Sequence, residues 1–230
     1  MRQLPLGVQL RVTSRFATFQ PDGNEAALAE LVQCAALSGP RATWIWGPAG
    51  CGKTHLLQAA CAAAGEQGLS AAYMPLATLA AQGPGAIAGY ELLDLVCLDE
   101  VDRVAGAPDW ERALFLLYNE LLEGGGRLLL ASREPPQATA IALPDLASRL
   151  GASSVHALRP LPEAAQGRAL AARATVQGLE LPEDTLLYLL RRAPRDFAAL
   201  CRLLDDLDVA ALAAQRRLTV PLVREVLERG

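Results

Sequence analysis

The sequence predicts an α/β fold on a parallel sheet, followed by an all-helical C-terminal part, and three observations carry that prediction. Gly47-Pro48-Ala49-Gly50-Cys51-Gly52-Lys53-Thr54 spells G-x-x-x-x-G-K-T between a strand-like run, Ala42-Thr43-Trp44-Ile45-Trp46, and a helix start at His55. Two further apolar runs, Leu95-Val96-Cys97-Leu98-Asp99-Glu100 and Arg127-Leu128-Leu129-Leu130-Ala131-Ser132, end in polar residues, as buried parallel strands do where their carboxyl ends line a site. After Pro160 no strand-like run remains, and helical periods punctuated by Gly and Pro fill the rest.

The glycine loop is the best-defined chemical feature. Its glycines let backbone N–H groups turn inward around phosphate oxygens, and the following helix aims its positive end at the same anion. The Lys53 ammonium then reaches the β- and γ-phosphates, and the Thr54 hydroxyl serves Mg²⁺. Of the 21 basic residues only Lys53 is lysine. The loop needs a compact point charge that a planar guanidinium does not replace.

Composition removes several other classes. Hydrophobic residues make up 52% of 230, enough for a packed core. The net charge is −4, and from Pro160 onward 10 basic residues face 10 acidic ones, so neither part carries the footprint of a DNA-binding module. Five cysteines form no C-x-x-C pair, which suits reduced thiols in a cytoplasm. No apolar run approaches a membrane span.

Taken in order, residues 1–20 show no helical period. Gln3-Leu4-Pro5-Leu6 is either a short extended segment for a partner's apolar groove or a frayed terminus. Asp22 is expected to cap a helix carrying Glu25, Leu28, Leu31, Val32 and Ala35 and ending at Ser38-Gly39-Pro40. Ala71-Ala72-Tyr73-Met74 reads as the second strand, with a short helix beside Gly83-Pro84-Gly85. Asp99 is placed for Mg²⁺, and Glu100 to orient or deprotonate an attacking water. Asp102 reads as a cap or loop acid.

Ala107-Pro108-Asp109-Trp110 opens a helix with Leu114, Leu117, Tyr118, Leu121 and Leu122 on one face, stopped by Gly124-Gly125-Gly126. The Ser132 hydroxyl is either a phosphate or water contact or an ordinary strand-end serine. Pro144–Leu150 is a short helix; Arg149 at its end is a cation favoured by the dipole or an arginine offered to a neighbour's nucleotide. Ser154–Leu158 is a fifth strand, and His156, lacking a partner at ligand spacing, reads as structural. Helices follow at 163–177, 183–192, 195–214 and 220–229. Arg195 opens the third as a surface arginine or a phosphate sensor.

Phosphate loop, acidic strand, Ser-tipped strand, Arg-bearing helix and helical lid together resemble an AAA+ nucleotide-binding module. Within that class the chain is similar to the Hda family of DnaA-related regulators. The likeness rests on Leu143-Pro144-Asp145-Leu146-Ala147-Ser148-Arg149-Leu150, on Leu179-Glu180-Leu181-Pro182-Glu183-Asp184, on Ala214-Gln215-Arg216-Arg217-Leu218-Thr219-Val220-Pro221, and on the helix from Trp110-Glu111 to Tyr118-Asn119.

The resemblance implies a P-loop sheet of order 5-1-4-3-2. It also implies a clamp-binding segment at 1–15, an α/β domain at 16–159 and a lid at 160–230. The loop residues Gly47, Pro48, Ala49, Gly50, Cys51, Gly52, Lys53, Thr54 and His55, with Arg195 as sensor 2, would hold ADP or ATP. Thr54 and Asp99 would hold Mg²⁺, and Ser132 falls at sensor 1. Arg149 falls at the arginine finger that completes the ATPase site of DnaA in trans.

Gln3, Leu4 and Leu6 match the segment that binds the sliding clamp of DNA polymerase III, although Gly7-Val8 follow where the family usually continues with apolar residues or Pro-Leu. The partners implied are DnaA and the clamp, with DNA reached only through the clamp, in the cytoplasm. The resemblance also allows a homo-oligomer. The absence of a basic helix-turn-helix after the lid suits such a regulator of replication initiation. The alternative is an autonomous AAA+ ATPase, a loader or motor working in its own ring. A small-molecule kinase fits poorly with an all-helical tail.

Overall fold

The computed structural model describes residues 14–192, 197–214 and 217–227. Five strands, β1 (Ala42–Trp46), β2 (Ala71–Pro75), β3 (Leu95–Asp99), β4 (Arg127–Ser132) and β5 (Ser154–Ala157), form one sheet in the order β2-β3-β4-β1-β5. Every pair is parallel. This is the expected order read from the other edge.

The helices of this part are α1 (Glu25–Ala35), α2 (Lys53–Glu66), α3 (Leu76–Leu79), α4 (Pro108–Glu123) and α5 (Pro144–Gly151). Four more helices, α6 (Glu163–Val176), α7 (Glu183–Arg192), α8 (Phe197–Ala214) and α9 (Val220–Leu227), make up the C-terminal part. Two compact units result. One takes in the residues up to Phe19 and Gly23–Pro160, the other Gln20–Asp22 and the residues from Leu161 on.

Alternation along the strands divides the first unit's core into two layers. Trp44, Val96, Leu98, Leu128 and Leu130 face one way, against Trp110, Leu114, Leu117 and Leu121 of α4 and Leu146 and Leu150 of α5. Ile45, Leu95, Cys97, Leu129 and Ala131 face the other way, against Leu31 and Cys34 of α1 and Leu56, Leu57 and Ala60 of α2. The three central strands are apolar on both faces because both faces are covered. In the helical unit, Leu170, Leu189, Leu200, Leu204, Leu207, Leu218 and Val223 form a separate core. Beside it the half-exposed Asp205 accepts from Arg173 Nη2 at 2.8 Å and from Gln177 Nε2 at 2.7 Å.

Three local expectations change, and one is met. Asp22 does not cap α1: Asp22 and Gly23 both have positive φ (33° and 93°), so helical geometry cannot begin before Asn24. Asn24 holds the N-cap position, and its side chain clasps Arg159, accepting from the backbone N at 2.8 Å and donating to the carbonyl at 3.1 Å. Val32, expected on the apolar face, is exposed. The short helix expected beside Gly83 is present as α3, continued by 3₁₀ turns at Ala80–Gln82 and Pro84–Ile87. His156 has a carboxylate partner after all, Glu30 Oε2 at 3.0 Å, supplied by α1 from far along the chain.

Candidate functional site

The loop between β1 and α2 has the backbone its sequence demands. Gly47, Gly50 and Gly52 all have positive φ (153°, 80° and 98°). Two of them are also sterically required. A Cβ at Gly47 would meet the Leu158 carbonyl oxygen at 2.5 Å, and one at Gly52 would meet Phe19 Cε2 at 2.7 Å. Pro48, Ala49 and Gly50 form an exposed rim, whereas Cys51 is buried. Burial pushes the Cys51 thiol up, against the lowering influence of Lys53. The Lys53 ammonium folds back on its own loop, donating to Gly47 O at 2.6 Å and Pro48 O at 2.9 Å, with Cys51 Sγ at 3.7 Å. A phosphate competing for that ammonium displaces neutral carbonyls with charged oxygens, and charge-assisted bonds are the stronger.

Asp99, at the end of β3, is almost fully buried at 2% exposure. Among the described residues no cation pairs with it. Its carboxylate is instead pinned by three donors: Thr54 Oγ1 to Oδ2 at 2.6 Å, Tyr73 OH to Oδ2 at 2.8 Å, and the Glu100 backbone N to Oδ1 at 2.9 Å. Burial and the adjacent Asp99 push the Tyr73 phenol far up, so it remains a donor.

A Thr hydroxyl touching an acid that lacks a cation fits Mg²⁺, which takes one or two protein oxygens and completes its shell with phosphate and water. No group of three or more His, Cys, Asp or Glu able to hold a metal occurs among the described residues, so a dedicated all-protein cage is not what these residues build. Thr54 and Asp99 are the side chains that would hold the ion, and its charge would neutralise phosphate oxygens.

Glu100 follows at the same strand end, half-buried and in the left-handed region at φ 58°. For a residue with a Cβ that conformation is costly and belongs among functional turns. Burial and then the Asp99 charge raise the Glu100 carboxyl above its usual range. Asp102, expected as a cap or loop acid, sits within the 3₁₀ turn Val101–Arg103 and accepts from the Arg133 backbone N at 3.3 Å. Ser132 pairs in register with Trp46, the residue before the glycine loop, but is fully buried and donates to the Glu134 carbonyl. His55 turns to residues 14–19: its Nε2 lies 2.9 Å from the Arg15 carbonyl oxygen and 3.2 Å from Thr18 Oγ1, and its ring is 5.9 Å from that of Phe19.

Arg149 is not in this cluster. It is exposed near the end of α5, its guanidinium over the rings of Phe115 at 4.9 Å and Tyr118 at 5.9 Å on α4. Among the described residues it forms no ion pair. The start of α5 is held by buried Glu111, whose carboxylate accepts from the backbone N of Gly106 at 2.7 Å, of Ala142 at 2.9 Å and of Leu143 at 2.7 Å. Arg195, Gln3, Leu4 and Leu6 lie outside the described residues.

Sequence reasoning missed Tyr73, Glu111 and the Phe115 platform. Each signal was local and weak: a Tyr in an edge strand, an acid in a helix's first turn, and an aromatic one turn later.

A five-stranded parallel sheet of this order, with a glycine loop after β1, an acid-tipped β3 and a separate helical unit, is the AAA+ architecture. Domain III of the Thermotoga maritima replication initiation protein DnaA is similar to this chain with a TM-score of 0.77 and 22% identity, over 96% of this chain and 98% of that one. AMPPCP-bound DnaA from Aquifex aeolicus gives 0.67 and 22%, over 86% of this chain and 66% of that one. The Thermotoga maritima RuvB Holliday junction branch migration motor gives 0.64 and 15%, over 95% and 73%. These likenesses are of fold. Residues 163–227 match the family model of the Hda lid domain.

No helix of the described residues is long and apolar enough to cross a membrane.

Proposed function

We propose that this chain is a nucleotide-loaded AAA+ regulator that promotes hydrolysis of DnaA-bound ATP and so restrains replication initiation. The observation that carries this reading is the Hda-type lid at 163–227. In this reading residues 1–15 are the clamp-binding segment, 16–159 the nucleotide-binding domain and 160–230 the lid.

The loop amides and Lys53 hold the β- and γ-phosphates of ADP or ATP, and Thr54 and Asp99 hold Mg²⁺. His55 and Arg195 complete nucleotide contact, and Ser132 takes the sensor 1 role. Gln3, Leu4 and Leu6 bind the DNA-loaded sliding clamp, which supplies the DNA contact that the chain's acidic balance does not. Arg149 enters the ATPase site of DnaA in trans. Its exposure, and the lack of an acidic partner among the described residues, support that role, because an arginine already committed to a carboxylate would have to break that pair first. The cytoplasm is where both partners act.

The deciding experiment measures hydrolysis of DnaA-bound ATP with DNA-loaded clamp, comparing this chain with its Arg149→Ala variant. Stimulation by the first and none by the second supports the reading; equal stimulation by both removes Arg149 from it, and no stimulation by either removes the reading itself.

A second reading, an autonomous ATPase, is favoured by one observation: Glu100 directly follows buried Asp99 at the carboxyl end of β3, where a carboxylate can orient an attacking water. Robust turnover and nucleotide-driven self-assembly without DnaA would support it, with Glu100→Gln abolishing the turnover.

A further inference from the structure

Asp99 is a buried acid held, among the described residues, by hydrogen bonds alone, and its partners are unequal. Thr54 Oγ1 donates to Oδ2 at 2.6 Å, but the same oxygen is one that would hold a metal ion, so this bond would not outlast metal binding unchanged. The Glu100 N–H reaches Oδ1 from the very next residue and moves with Asp99. Tyr73 is different. It belongs to β2, the neighbouring strand, where Pro75 is the register partner of Asp99. Its side chain therefore leans toward the carboxyl end of the sheet to bring its hydroxyl 2.8 Å from Oδ2. Its ring packs on the core layer of Leu95 and Cys97, and a tyrosine with a seated ring has little freedom left for its oxygen.

From this arrangement we infer that Tyr73 is a positioning residue for the metal end of the nucleotide site, its hydroxyl holding the Asp99 carboxylate in the plane that serves the ion. The inference rests on the reading of Thr54 and Asp99 as the metal-side pair. The contact of the Tyr73 hydroxyl is with Asp99 Oδ2. Tyr73 acts through Asp99, as outer-shell donors orient the ligands of a metal site.

The test is calorimetric titration of ADP into the full chain, once with Mg²⁺ and once with a chelator. The ratio of the two affinities is the metal's gain. In Tyr73→Phe that gain falls on the order of ten-fold while affinity without metal stays within about two-fold of the parent. An unchanged gain overturns the inference, and so does an equal loss with and without metal, because that is the mark of a merely structural residue. Asp99→Asn separates the two levels. Loss of the gain in Asp99→Asn but not in Tyr73→Phe overturns the role of Tyr73 alone, and a gain intact in both overturns the metal-site reading beneath it. Should the Phe variant melt below the assay temperature, Tyr73→Met, apolar and without a donor, takes its place with the same two outcomes.

Discussion

The phosphate loop and the Arg149 face, both in the α/β unit, are built on opposite principles. Around the loop four polar side chains are committed within the protein. Lys53 is bonded to its own loop, Thr54 and Tyr73 to Asp99, and His55 faces the carbonyl of Arg15. Arg149 is exposed, held only by ring faces and without an acidic partner among the described residues. The first arrangement suits a ligand that enters and exchanges partners with the protein. The second suits a charge presented outward, kept in one orientation by contacts that leave its hydrogen bonds free.

Four substitutions break or sharpen that contrast. Arg149→Ala is expected to lower clamp-dependent hydrolysis of DnaA-bound ATP on the order of 10³-fold, as the loss of an arginine finger does, while ADP binding by this chain is retained. If ADP binding falls in step, the two regions are not independent.

Lys53→Ala is expected to weaken ADP binding by on the order of 100-fold, or ~2.7 kcal/mol by titration calorimetry. Unchanged binding would dismantle the phosphate-loop reading.

Glu111→Gln replaces a carboxylate that accepts from the backbone N of Gly106, ahead of α4, and of Ala142 and Leu143, at the start of α5. A cost of about 2 kcal/mol is expected in urea unfolding. A cost near zero would mean that α5 is held by Leu146 and Leu150 alone.

The smallest effect concerns Glu30 at the far edge of the sheet. Burial raises its carboxyl, but hydrogen bonds from His156, Ser154 and Thr43 outweigh burial and hold it below its ordinary value of 4.5. A depressed carboxyl contributes stability that is complete above the unfolded value and is lost as pH falls through the folded one. Glu30→Gln should therefore remove about 1 kcal/mol at neutral pH and flatten the loss of stability below about pH 4.5. An acid limb identical to the parent's in thermal melts would assign it to other carboxylates.

Much of the fold was legible because it is written locally. All five strands are alternating or continuous apolar runs, and the ends of α4 and α5 and the starts of α6 and α7 coincide with Pro or Gly. The Asp22 cap was misassigned because a helix start depends on φ, and only the fold reveals the two-residue left-handed turn ahead of Asn24. His156 looked solitary because its partner, Glu30, lies on a different element and is brought close only when β5 pairs beside β1 and α1 packs on that layer. Ser132 was readable as a strand-end hydroxyl, but its bond to the Glu134 carbonyl depends on how the chain leaves β4.

By itself the sequence determined the glycine loop, its lysine and the acid-tipped strand. An amide nest followed by a helix needs only consecutive residues with the right φ, and no distant neighbour has to agree. The tertiary structure alone decided what surrounds them. Tyr73 reaches Asp99 because β2 lies beside β3, and Arg149 rests on Phe115 because α5 packs on α4. Contacts between elements far apart in the chain are set by the order of the sheet and the burial of its two faces, quantities that no stretch of residues contains.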